Sequence, residues 1–398
     1  MTARENSAAH DRELALSFVR DDFPFRLMRK LGLVPETGLG TGRRAIFLAL
    51  LAWLPIAVWA VYAGRAFPPA PGEPLLQHFG VHVRGLIAIP LLILAQGFAH
   101  HMTTLLVPWF VHSGRVRQDD RERFRAIVGG IARLRDAALP WALILALALA
   151  WTFFGPAIED AHEVAFAAES AGGQAQIGFG GRWFLWVSRP IYVVLLLAWL
   201  WRLILLALFF ARVAKLDLTI VPTHPDRTGG LGFVERFALI QSTPVFALSA
   251  VFAAHWGHQV LYHGESLDAL QWSAIAFVTL ALIVSLAPFL AFVRPLYTAK
   301  ARALLEYGAL VGEHDNLVRK RWILGERIED APLLDSPELG PVVDVGSIFE
   351  AVKRMRIVPI GIFGLVAIIG PAVVPMIIVA AIKIPIGELL IKLLHTVA

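Results

Sequence analysis

The stretch from 357 to 394 is almost unbroken hydrocarbon, interrupted by charge only at Lys383, Glu388 and Lys392. A helix rises about 1.5 Å per residue, so a bilayer core about 30 Å thick takes roughly 20 apolar residues. This run is far longer, so it crosses a membrane and has length left over. Six more apolar segments precede it, at 45–62, 85–111, 138–156, 184–211, 240–261 and 272–293. The predicted fold is therefore an all-α polytopic transmembrane bundle of about seven spans, with the lipid bilayer as its first partner. Four regions follow: an interfacial N-terminal segment (1–44), a six-span region (45–296), a helical connection (297–356) and the C-terminal span (357–398).

Only 17% of residues are charged, far below soluble averages. The net charge of +5 fits Lys and Arg anchoring one membrane face and does not point to nucleic acid. With no cysteine, disulfides, thiolate metal sites and cysteine nucleophiles are excluded. The segment 1–44 is too charged for a signal peptide and is expected to stay on the protein. Its apolar residues, from Leu14 to Met28, alternate with charges. Two readings fit that pattern: a helix lying on the membrane surface, and a helix packed on the protein's own cytoplasmic side.

Connections alternate in Lys and Arg. Basic ones end at Arg43–Arg44, span Arg115 to Arg135, carry Arg212, Lys215, Arg227 and Arg236, and run from Arg294 to Arg356. The others are poor in both, and 262–271 has neither. The positive-inside rule then predicts a cytoplasmic N-terminus. The seventh region allows a single span to about Ile382 followed by a surface helix over 386–394, or a broken, re-entrant pair around Pro371 and Pro375. In the connection before it, 298–323 reads as a helix continuing the sixth span, 330–346 as irregular, and 347–356 as a short helix. No internal repeat stands out.

Thr223-His224-Pro225-Asp226-Arg227-Thr228-Gly229-Gly230-Leu231-Gly232-Phe233 is the most distinctive connection. Paired glycines before a helix permit positive φ and leave backbone N–H groups to hold an anion. His224, Asp226, Arg227, Gly229 and Gly230 could form such a clamp; a rigid turn capped by Asp226 has the same signature. Neither Walker nor Rossmann spacing accompanies it. His-Pro-Asp-x-x-Gly-Gly-Leu-Gly-Phe, with Val352-Lys353-Arg354-Met355-Arg356 ahead of a Pro-rich apolar C-terminus, resembles a set of proteobacterial membrane proteins of about this length. The resemblance implies a bacterial inner-membrane setting and brings no activity and no residue role.

Ionisable groups in spans are costly and by default functional. Arg84, Arg189 and Arg202 lie in the apolar segments, while no span core contains Asp or Glu. With Gln96 and Gln241 they are the candidate lining of an anion-favouring path; snorkelling or pairing with loop acids would explain them equally. His255 and His258 share a face of the fifth span, with His263 beyond; His78, His82, His162, Glu73, Glu159, Asp160, Glu163, Glu265 and Asp268 are expected on the same outer side. His255, His258 and His263 could bind a divalent metal, the one cofactor the sequence offers, titrate as an external pH sensor, or make ordinary interfacial hydrogen bonds. Enzyme signatures such as Gly-x-Ser-x-Gly and His-Glu-x-x-His are missing. The leading expectation is an oligomeric channel or uncoupled transporter with anion preference. A membrane sensor or scaffold recruiting cytoplasmic partners is the alternative, and a metal-dependent membrane enzyme the third.

Overall fold

The computed structural model describes residues 16–36, 38–68, 73–154, 164–171, 174–326 and 340–383. Seven helices are long and apolar enough to cross a membrane, and the chain is an all-α bundle. Helix α1 (Phe23–Lys30) precedes the first span, α2 (Thr41–Tyr62). Then come α3 (Phe79–His112), the amphipathic α4 (Arg121–Asp136) and the span α5 (Ala138–Phe154). After a short hairpin of β1 (Ala168–Ala171) and β2 (Gln174–Ile177), paired antiparallel, follow the spans α6 (Phe179–Val213), α7 (Leu239–Tyr262) and α8 (Leu267–Leu286). Helix α9 (Val293–Val318) extends the sixth span outward, α10 (Gly340–Lys353) returns, and α11 (Ile362–Lys383) is the last span.

All spans begin or end on one basic face, which carries α1, α4, α9, α10 and the 214–231 connection. Interleaved phenylalanines hold their ends together. Phe110, Phe124, Phe209, Phe210, Phe237, Phe289 and Phe292 are fully buried there. Ring pairs such as Phe110–Phe209 and Phe210–Phe237 meet edge to face at 5.9 and 5.2 Å, a geometry that adds to the area they bury. The outward faces of α2, α5 and α8 instead expose Ile46, Leu50, Leu143, Leu147, Ile275 and Leu280. An apolar surface of that extent fits lipid and not water.

Several expectations meet the structure directly. The N-terminal segment packs on the protein itself: Leu16, Phe18 and Val19 are buried in the main core. Among the described residues before α2, only Phe23–Lys30 is helical, started by Asp22, whose side chain accepts from Phe25 N–H. The last span is one continuous helix through Pro371 and Pro375, so the described residues contain no re-entrant break; the surface helix expected at 386–394 lies outside them. Helix α10 begins at Gly340, earlier than the expected 347, because Pro341 is tolerated in a first turn.

Two helices contain a repeat that the sequence reading passed over. In α3 a turn of π-helix, Arg84–Ala88, is followed by Pro90; in α6 the same device, Phe184–Ser188, is followed by Pro190. Proline lacks an N–H, and its ring presses on the carbonyl four residues back. One wide turn relieves both problems: Ile89 N–H reaches Arg84 O and Arg189 N–H reaches Phe184 O, five residues back. The signal was the matched spacing of Phe79-Gly80 to Pro90 and Phe179-Gly180 to Pro190.

The last span joins the bundle mainly along α7, to which it runs parallel. Ser242 and Ser249 hydroxyls donate to the carbonyls of Ala367 and Ala372, and Gly257 faces Val379. At its start the Glu235 carboxylate accepts from the N–H groups of Gly361 and Gly364 at 2.8 and 2.6 Å.

Candidate functional site

On the face opposite the basic one, Glu73, the start of α3 and the end of α7 bring four donors together. His78 Nε2 lies 3.1 Å from Glu73 Oε2, His258 Nε2 lies 3.4 Å from the same oxygen, and His263 Nε2 lies 3.4 Å from Oε1. The Nε2 atoms of His258 and His263 are 3.3 Å apart. Glu73, His78 and His258 form a group with metal-ligand spacing. Zinc bonds of about 2.0–2.1 Å in tetrahedral geometry put neighbouring donors about 3.3 Å apart. The observed separations match that value.

Ring orientation suits the same chemistry. His258 Nδ1 is 2.9 Å from the carbonyl of Gln77; a carbonyl only accepts, so Nδ1 carries the proton and Nε2 presents a lone pair to the cluster. Metal-bound histidines are commonly oriented this way by their second nitrogen. The His78 ring stacks on His258 at 5.0 Å and packs against Phe166 at 5.3 Å. Both His78 and His258 are buried, while His263 is about one-third exposed. Three groups therefore form a fixed floor and His263 a more open fourth position.

The expected set of His255, His258 and His263 is corrected in one member. His255, a turn deeper in α7, does not join the cluster; it lines the adjoining cavity with Arg84, Phe184 and Val251. Its place is taken by His78 and Glu73, which come from a different part of the chain. His82 stays out because its ring is used otherwise: Nδ1 accepts from Trp53 Nε1–H and Nε2–H donates to Leu75 O, both at 2.9 Å. The neighbouring cavity, of about 40 Å3, is walled by both π-turns. The Arg84 guanidinium lies 5.1 Å from the Phe184 ring centre and 5.4 Å from that of Tyr192.

The five span residues proposed to line a path fall in different places. Gln96 and Arg202 share a cavity near the basic face, Arg84 lines the one beside the histidines, and Gln241 lines an apolar cleft between α6, α7 and α8. Arg189 is buried with its guanidinium over Trp151. Gln96, Arg84 and Gln241 thus line three different cavities. Arg202 is held by Asp22, delivered from the N-terminal segment at 2.8 Å, with both side chains buried. No local sign marks that pairing, since 180 residues separate the partners.

In the connection 223–233 the backbone does form an anion-holding nest, with φ of 66° at Gly229 and 92° at Gly230. The anion is the chain's own. Asp226 accepts from the N–H groups of Thr228, Gly230 and Gly232 at 2.8–3.1 Å, and His224 Nδ1 lies 2.9 Å from it. Burial works to raise the Asp226 pKa, but these hydrogen bonds together hold it below the ordinary carboxylate value. Arg227, at φ 58°, turns the chain so that its carbonyl accepts from Arg356 N–H. Arg356 also donates to Asp226 O and Ile360 O, tying the turn to the last span. Arg115 donates to the carbonyls of Thr219 and Gly229 and closes the other side.

Comparisons with family models, curated proteins and solved structures give no match.

Proposed function

We propose that this chain is a bacterial inner-membrane metal sensor that binds a divalent cation of the zinc type on its outer, periplasmic side. One observation carries the reading: Glu73, His78 and His258 converge at metal-ligand spacing, with His263 beside Glu73 and His258 and with His258 oriented by Gln77. Binding would clamp the start of α3 to the end of α7, next to both π-turns, and α7 continues to the basic face, where Glu235 and Arg356 tie it to the last span. A cation held by ligands from both helices suits sensing or bracing.

Cobalt(II) titration of the detergent-purified protein tests it. Four-coordinate cobalt gives intense visible absorption, expected at one ion per chain and displaced by zinc. His78→Ala and His258→Ala should each abolish the band while His82→Ala retains it. A titration with no visible band, or a band indifferent to His258→Ala, overturns the proposal. The sidedness has its own test. An impermeant thiol reagent applied from outside should label Ser266→Cys and leave Gln118→Cys unlabelled; the reverse pattern inverts the assignment.

Anion movement is the second reading, favoured by the buried guanidiniums of Arg189 and Arg202. Arg189→Gln should then lower anion flux into proteoliposomes, and unchanged flux assigns Arg189 to packing against Trp151.

A further inference from the structure

The cavity shared by α1, α2, α3 and α6 has an unequal charge content. Arg44 and Arg202 both line it and both are buried, at 1% and 4% exposure, and among the described residues Asp22 is the one carboxylate bonded to either. Arg202 Nη2 binds Asp22 Oδ2, and Arg44 Nη2 donates to Gln96 Oε1, each at 2.8 Å. Arg44 Nε points to the sulfur of Met28, a weak acceptor. Arg44 Nη1, Arg202 Nε and Arg202 Nη1 are buried with no hydrogen-bond partner. Guanidinium N–H groups in a low-dielectric site are expensive to leave unmade, and charge-assisted bonds to an oxyanion are the strongest way to satisfy them.

The rest of the cavity is apolar. Leu48, Ile191, Val194, Leu195 and Ala198 continue it along α2 and α6 into the level of the spans, to a volume of about 230 Å3. Pro24 and Met28 of α1 close its other end. Unpaired cationic donors at the basic end of a hydrocarbon-lined slot match an amphiphile with an oxyanion at its tip. We infer that this cavity binds an anionic phospholipid, with headgroup phosphate on Arg44 and Arg202 and the start of an acyl chain along Val194 and Leu195. The site is separate from the histidine cluster and does not depend on it.

Thermal unfolding of the detergent-purified protein, with three added probes, tests the inference. Dioctanoyl phosphatidylglycerol should raise Tm in a saturable way, while dioctanoyl phosphatidylcholine and inorganic phosphate should leave it little changed. Arg44→Gln should weaken the phosphatidylglycerol midpoint about tenfold, a single charge-assisted contact. Val194→Trp, which fills the apolar slot and touches no charge, should abolish the response even if Arg44→Gln fails to fold. Equal responses to both lipids overturn the inference, as does a response unaffected by Val194→Trp. Inorganic phosphate acting as well as the phospholipid overturns the lipid source and leaves a soluble oxyanion site.

Discussion

The two ends of the bundle solve opposite problems of charge. At the far face one carboxylate, Glu73, faces three imidazoles whose nitrogens approach within 3.1–3.4 Å, and the proposed cation would complete them. At the basic face Arg202 pairs with Asp22 and Arg44 with Gln96, and the inferred oxyanion would complete their remaining N–H groups. A third case, the 223–233 turn, is complete in itself, because Asp226 fills the nest of N–H groups that its neighbours create. The comparison teaches that a ligand site is recognised by what remains unsatisfied after the chain has used its own groups, and not by residue type.

The largest expected effect is at the basic face. Asp22→Ala leaves Arg202 buried without its partner and should lose about 3–5 kcal/mol of stability, read as a drop in Tm. Adding Arg202→Leu should recover much of that loss. If Asp22→Ala unfolds like the parent, the pair is not a buried structural element and the comparison collapses.

At the far face, His258→Ala should weaken cobalt binding by at least about a hundredfold, in line with loss of a ligand, while changing metal-free Tm little.

In the self-satisfied turn, Gly229→Val and Gly230→Val should each destabilise by roughly 1–3 kcal/mol through positive φ alone. Added atoms also collide, with Ile220 at the first position and Arg115 at the second. Thr228→Ala, the control, should cost less. The smallest effect belongs to Asp226→Asn. Because the folded pKa of Asp226 lies below its unfolded value, its contribution is complete above about pH 4 and lost as pH falls through the folded value. Unfolding profiles should show a shallower acid limb in the variant. Parallel acid limbs would remove the nest from the comparison.

Span number and their alternation were legible in the sequence because hydrocarbon length and Lys/Arg bias are local properties. The positive φ at Gly229–Gly230 was legible for the same reason. Helical spacing paired His255 with His258 and placed His263 just beyond, and the last two lie at the cluster. The partners His78 and Glu73 were visible only as residues of the same side, since nothing local in them specifies which way α3 faces α7. Asp22–Arg202 was invisible: an acid just before an amphipathic helix reads as its N-cap, which it also is. The π-turns escaped because two matched prolines in apolar runs look like ordinary tolerated kinks.

The parallel seam between α7 and α11 sets a problem of timing. From Tyr262 to Ile362 the ribosome adds 100 residues, which takes about 5–20 s at about 5–20 residues per second. During that interval Ser242, Ser249 and Glu235 have been made while Ala367, Ala372 and Gly361 have not. A chain halted after α9 therefore lacks the backbone groups that these three side chains bond in the finished bundle.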